Sequence, residues 1–252
     1  MAQALLQPWL ETGLIEPELV RAAVTREASV ADLSRRFQIT VATDPAAAWA
    51  APVVLLAVKP QHLDGVAAAA PAAAPGGLLI SVLAGVTLAR LQSLFPQWRC
   101  VRVVPNTPAL VRHGLSGLSF AAAVPMAERD WVVQLFEAVG EVVPLPEAQL
   151  DAFLALTSSG PAFVALVAEA MADGAVAAGL PRALAGHLAH RTLAGTAALL
   201  HQEHLHPAQL KDMVSSPAGT TIAGLRQLER AGLRSALIEA VVAAAERSRE
   251  LG

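Results

Sequence analysis

Three short apolar runs in the first half of the chain, each cut off by a turn signal, constrain the fold most. They are residues 52–58 (PVVLLAV, then Lys59-Pro60), 77–83 (GLLISVL, then Ala84-Gly85) and 101–104 (then Pro105). Runs this short and this continuous fit strands of a parallel sheet buried on both faces. Weaker strand signals lie at 19–24, 115–122 and 141–143. Helical texture falls between them at 2–10, 30–37, 44–51 and 128–139. Pro8 is expected to kink or shorten the first helix. Strands alternating with helices predict a doubly wound α/β layout.

From about residue 145 the texture changes. Ala/Leu-rich segments at 151–156, 161–178, 182–201, 207–213, 221–229 and 233–251 carry helical periodicity and few strand signals. Pro144 and Pro146 punctuate the change. The expected division is therefore an α/β domain, 1–146, and an all-helical domain, 147–252. In the last helix Leu233, Leu237, Val241 and Ala244 form one stripe, widened by Ile238, Val242 and Ala245. Helices apolar on several sides must be covered, which predicts a homodimer built on the helical domain.

Composition closes off other classes. The 252 residues are 54% hydrophobic and 15% charged, with a formal charge of −3, which excludes a disordered chain and argues against nucleic-acid binding. The lone Cys100 excludes a disulfide framework or a cysteine metal site. Residues 66–86 carry no charge and are long enough for a bilayer, yet Pro71, Pro75, Gly76 and Gly77 interrupt them; a helix, a turn and a strand is the better reading. The similarly apolar 153–168 is broken at Ser158-Ser159-Gly160-Pro161. No basic, apolar leader opens the chain, so no membrane role and a cytoplasmic location are expected.

In an open parallel sheet, ligands bind beyond the carboxyl ends of the strands. That points to Lys59-Pro60, Ala84-Gly85 and Pro105-Asn106-Thr107-Pro108. A second candidate is 211–225 (KDMVSSPAGTTIAGL), where one helix ends and another begins through Ser215–Gly219. A helix start offers free N–H groups and partial positive charge, and glycine permits close approach. Such a loop can hold a small carboxylate or phosphate, with Ser216 and Thr220 as added donors. The plainer alternative is a helix cap that satisfies only itself.

The pieces resemble pyrroline-5-carboxylate reductase. They are Ala57-Val58-Lys59-Pro60, Ala84-Gly85-Val86-Thr87, Pro105-Asn106-Thr107-Pro108, Ser159-Gly160-Pro161-Ala162, Gln209-Leu210-Lys211-Asp212, Val214-Ser215-Ser216-Pro217, Gly219-Thr220-Thr221 and Arg249-Glu250-Leu251, in order over nearly the whole chain. The resemblance implies a dinucleotide-binding Rossmann-like domain and a helical dimerisation and substrate-binding domain. It implies hydride transfer from NADPH or NADH to a cyclic imino acid, giving L-proline, by a homodimer that can assemble further into a ring such as a decamer. It assigns the imine nitrogen to the hydroxyl of Thr221, and the substrate to Glu147, Ser216, Gly219, Thr220 and Thr221. It assigns the cofactor to Met1, Ala2, Thr25, Arg26, Ala57, Val58, Lys59, Pro60, Ala84, Asn106 and Met213. Arg26 rather than an acidic residue favours NADPH.

The chain departs from the family pattern in places. The family opens with an apolar strand and a glycine-rich phosphate turn. By alignment this chain starts just after the second glycine, with Ala2 as the third small residue. Weak dinucleotide binding and a poorly folded N-terminal end are expected of these residues alone, through a start placed too far downstream or a true shortening. Met213 replaces an amide. His201, His204 and His206 cluster without an Asp or Cys partner, which favours a surface turn over a metal site. A hydroxyacid reductase would want a lysine in the helical half, where Lys211 stands alone. A non-catalytic relic is the remaining rival.

Overall fold

The computed structural model describes residues 1–71 and 77–251. The first helix, α1 (Ala2–Glu11), runs through Pro8 without shortening. Leu5 and Trp9 are buried on its inner face, and the Trp9 indole N–H donates to the Leu135 carbonyl at 2.6 Å. The expectation that Pro8 shortens this helix is thus not met; Ala4, Leu5, Pro8 and Trp9 are its buried residues.

The chain continues through β1 (Arg21–Ala23), α2 (Ala28–Phe37), β2 (Thr40–Ala42), α3 (Ala46–Trp49), β3 (Val53–Leu56) and α4 (Leu63–Ala68). Then follow β4 (Leu78–Ser81), α5 (Leu88–Leu94), β5 (Arg99–Val104), β6 (Gly114–Phe120), α6 (Met126–Glu137) and β7 (Gly140–Pro144). The expected turn at 71–76 lies outside the described residues except for Pro71. The strands do not make one sheet. β1 and β2 pair with each other, while β3-β4-β5-β6-β7 form a second sheet in chain order. β6 is antiparallel to β5, and the other pairs are parallel. Only residues 105–113, which include the 3-10 turn Thr107–Val111, join β5 to β6, too little chain for a crossover.

Six helices follow: α7 (Leu150–Thr157), α8 (Gly160–Ala177), α9 (Arg182–Gln202), α10 (Pro207–Met213), α11 (Thr220–Arg230) and α12 (Leu233–Leu251). Contacts divide the chain into two compact units, Met1–Ser158 with Ala244–Gly252, and Ser159–Ala243. By compactness, then, α7 and the end of α12 go with the sheet, although their sequence texture is that of the helical half.

The first unit has an extensive core. Leu79, Ile80, Val101, Val103, Leu118 and Phe136 are among its fully buried side chains. In the second unit the buried residues are alanines alone: Ala168, Ala172, Ala185 and Ala189. Its larger apolar side chains are exposed, Leu166 at 67% and Val164 at 54%. Residues Glu147–Ala177 are apolar and long enough to cross a membrane, but in the fold they are a 3-10 turn and two helices broken at Ser158-Ser159.

Candidate active site

The first candidate region follows from strand direction. Because β3, β4 and β5 are parallel and adjacent, their carboxyl ends open on one edge. Beyond β3, Ala57 is half-buried and Val58, Lys59 and Pro60 are exposed at the start of a 3-10 turn. Beyond β4, Ala84 is exposed and Gly85 takes φ +76, a backbone state that a β-carbon opposes. Thr87 caps α5, accepting from the Arg90 N–H at 3.2 Å.

Beyond β5, Asn106 is buried. Its amide donates to the Thr157 carbonyl at 2.9 Å, and its side-chain oxygen accepts the Leu115 N–H at 2.8 Å. It ties the end of β5 to β6 and α7, so its side chain serves the scaffold, not a free binding position. Thr25 and Arg26, exposed beyond β1, leave a guanidinium with no ion pair among the described residues. Met1 and Ala2 open α1, whose first N–H groups have no side-chain cap.

Glu147 is placed differently from the sequence expectation. Its carboxylate accepts from Arg102 Nη1 at 3.1 Å and from the Leu88 N–H at 2.6 Å. Arg102, in the middle of β5, is 2% exposed. Its other terminal nitrogen lies 3.5 Å from Asp151, which also accepts from the Ser248 hydroxyl at 2.7 Å. One oxygen of the Glu147 carboxylate is therefore engaged by protein groups. Removing one partner from a buried ion pair typically costs ~3–5 kcal/mol. Sequence reading missed this cluster, though a charge inside the apolar run 101–104 was its signal.

The second region is the turn into α11. The Gly219 N–H donates to the Ser216 carbonyl at 3.0 Å, with Ala218 at φ +56. A β-carbon on Gly219 would lie 2.5 Å from the Ser216 hydroxyl, so only glycine leaves that hydroxyl in place. Gly219 begins α11 without a side-chain cap, and its helix is long enough to carry a useful N-terminal partial charge. Ser216 and Thr220 are exposed and Thr221 is half-buried. No side chain caps this helix start, so its first N–H donors are not engaged by the chain's own side chains. Met213 ends α10 at 68% exposure. His206, by contrast, caps α10: its Nδ1 accepts the Ala208 N–H at 3.2 Å, as a surface turn would have it.

Residues 147–251 match the pyrroline-5-carboxylate reductase dimerisation family, and residues 1–85 match the coenzyme F420-dependent NADP oxidoreductase family. The chain is 47% identical to a pyrroline-5-carboxylate reductase of Synechocystis over 256 residues, covering 100% of this chain and 95% of the relative. The chain belongs to the pyrroline-5-carboxylate reductase family. A relative of that name from Glycine max is 41% identical, covering 100% of this chain and 92% of its own. Among solved structures, Plasmodium falciparum pyrroline carboxylate reductase with NADP bound aligns with a TM-score of 0.89 at 26% identity, covering 99% and 94% of the two chains. The Coxiella burnetii reductase aligns at 0.87 and 28%, covering 100% and 94%. The Rossmann-like and helical dimerisation halves, use of NAD(P)H, a small-molecule substrate and oligomerisation all agree with the expectations from sequence.

Proposed function

We infer that the residues of this chain divide one reaction between two regions, each formed within its own compact unit. The protein is an NAD(P)H-dependent oxidoreductase of proline biosynthesis that reduces 1-pyrroline-5-carboxylate to L-proline; neither a hydroxyacid reductase nor a relic is favoured. The observation that carries the residue assignment is the uncapped start of α11, with Gly219 held to glycine by the Ser216 hydroxyl.

The N–H groups at that helix start, with Ser216, Gly219 and Thr220, would hold the substrate carboxylate. The Thr221 hydroxyl, one residue into the helix, would donate to the imine nitrogen and orient the double bond. An imine is readily protonated, so positioning supplies most of the rate and a strong acid is not needed.

The bound dinucleotide supplies the hydride. Met1 and Ala2 at the start of α1, and Ala57, Val58, Lys59, Pro60 and Ala84 at the strand ends, would hold it. Exposed backbone, an unopposed arginine and small side chains fit such a group. Arg26 would meet a 2′-phosphate, favouring NADPH over NADH. Met213 would offer apolar contact where an amide is usual, and Asn106 would act only by fixing the end of β5. The helical unit would close a homodimer, with a decameric ring as a further stage, in the cytoplasm. The apolar stretch 147–177 would serve that interface and not a membrane.

The decisive assay follows oxidation of NADPH and of NADH by 1-pyrroline-5-carboxylate with the purified chain. Oxidation with formation of proline is expected; none with either nucleotide would overturn the activity. Arg26→Asp should raise KM for NADPH about tenfold and spare NADH. Equal effects on both would remove Arg26 from the site.

A further inference from the structure

We propose that Arg102 and Glu147 are a positioning pair for the dinucleotide: they fix the loop that carries Ala84 by holding the first N–H of α5. This rests on the reading that Ala84 lies at the cofactor site.

The loop has six residues, 82–87, between β4 and α5. Its entry is fixed by the sheet: the Val82 N–H donates to the Leu56 carbonyl at 3.0 Å, and the Leu83 N–H reaches the Ser81 hydroxyl at 3.4 Å. Its exit is fixed by a carboxylate from elsewhere in the chain. Glu147, in the turn after β7, accepts the Leu88 N–H at 2.6 Å, the first orphan donor of a helix that no side chain on α5 itself reaches. Arg102 holds that carboxylate in place at 3.1 Å. It lies opposite Ser81, the last residue of β4, in the β4–β5 register, level with the point where the loop departs. Asp151, itself held by the Ser248 hydroxyl, lies 3.5 Å from the other terminal nitrogen of the guanidinium.

The composition of the cluster says what it is for. A buried ion pair contributes little stability beyond what apolar residues of the same volume would give. Here it also leaves Arg102 Nε without a partner among the described residues. What an apolar trio cannot do is grip a single backbone N–H. Both anchors of the loop are thus hydrogen bonds of fixed length, and Gly85 at φ +76 completes its shape between them. A site held on rigid supports presents its backbone in one geometry.

The test measures the dissociation constant of NADPH by fluorescence titration without substrate, together with KM for each substrate and the melting temperature. Glu147→Gln keeps length and an acceptor but weakens both contacts. Leu88→Pro deletes the N–H at a position where a helix tolerates proline, and Leu88→Ala controls for the side chain. Glu147→Gln and Leu88→Pro should each weaken NADPH binding about tenfold, while Leu88→Ala and KM for the imino acid stay within about twofold. A lowered melting temperature with unchanged NADPH binding would overturn the proposal. So would equal binding by the Pro and Ala variants, or a rise in KM for the imino acid alone, which would return Glu147 to the substrate. Ala84→Phe separates the two readings. If it leaves NADPH binding intact, the cofactor assignment of the loop falls and the proposal with it. If it alone weakens binding, only the positioning role falls.

Discussion

The two compact units solve the problem of burial in opposite ways. The sheet unit buries Leu, Ile, Val, Phe and Trp side chains within itself, including the edge-on contact of Trp9 with Phe136 at 5.6 Å between ring centroids. The helical unit buries four alanines and leaves leucines and valines on its surface. Alanine burial brings helices close but removes little apolar area from water. The first unit therefore carries its own driving force, whereas the second leaves apolar surface exposed, in keeping with its match to a dimerisation family.

The hardest blow to this contrast is charge on the uncovered helical face. Leu166→Glu on α8 should convert the oligomer to monomers at micromolar concentration, with a rise in dissociation constant of about a thousandfold or more, read by light scattering. Leu19→Glu, equally exposed on the sheet unit at 70%, should leave the molar mass unchanged. Dissociation by both, or by neither, would break the distinction.

Within the sheet unit, Phe136→Ala should destabilise by ~3–5 kcal/mol in urea unfolding, since the side chain is fully buried. A loss below about 1 kcal/mol would show that this core is not what holds the unit.

Thr221→Ala tests where the chemistry resides. Turnover should fall about a hundredfold, the order seen on removing one preorganised donor, with molar mass and circular dichroism unchanged. A smaller loss than tenfold would mean that the hydroxyl does not orient the imine.

The gentlest probe uses Cys100. Burial pushes its thiol up to about 11 from an ordinary 9.0. The folded protein keeps that proton where the unfolded chain gives it up, so this group lowers stability as pH rises from about 9 to 11 and has no effect below. Native protein should resist thiol alkylation at pH 8 and react fully in denaturant; rapid native labelling would show that the sheet core opens.

Much of the fold was legible along the chain. The runs at 52–58, 77–83 and 101–104 became β3, β4 and β5, because strands buried on both faces need uninterrupted apolar residues. Helical periodicity likewise marked α8, α9 and α12. β2 escaped notice: three residues beginning with Thr40 carry no pattern distinct from a loop. The division into two sheets and the antiparallel β6 were also hidden, since strand pairing joins residues far apart in sequence. Of the candidate site, the 215–221 turn stood out because serine, proline and glycine before a helix have a local meaning.

What the sequence determined by itself was local: which segments are strands or helices, where turns fall, and which loop offers donors to an anion. Those properties depend on neighbours within a few residues. The tertiary structure decided which polar side chains remain free. Thr221 and Glu147 looked equally available as symbols in a string. Folding leaves the Thr221 hydroxyl half-buried at a helix start and engages the Glu147 carboxylate with Arg102 and Leu88, 45 and 59 residues away. A polar group's availability is set by its partners in space, and those are chosen only when the chain closes on itself.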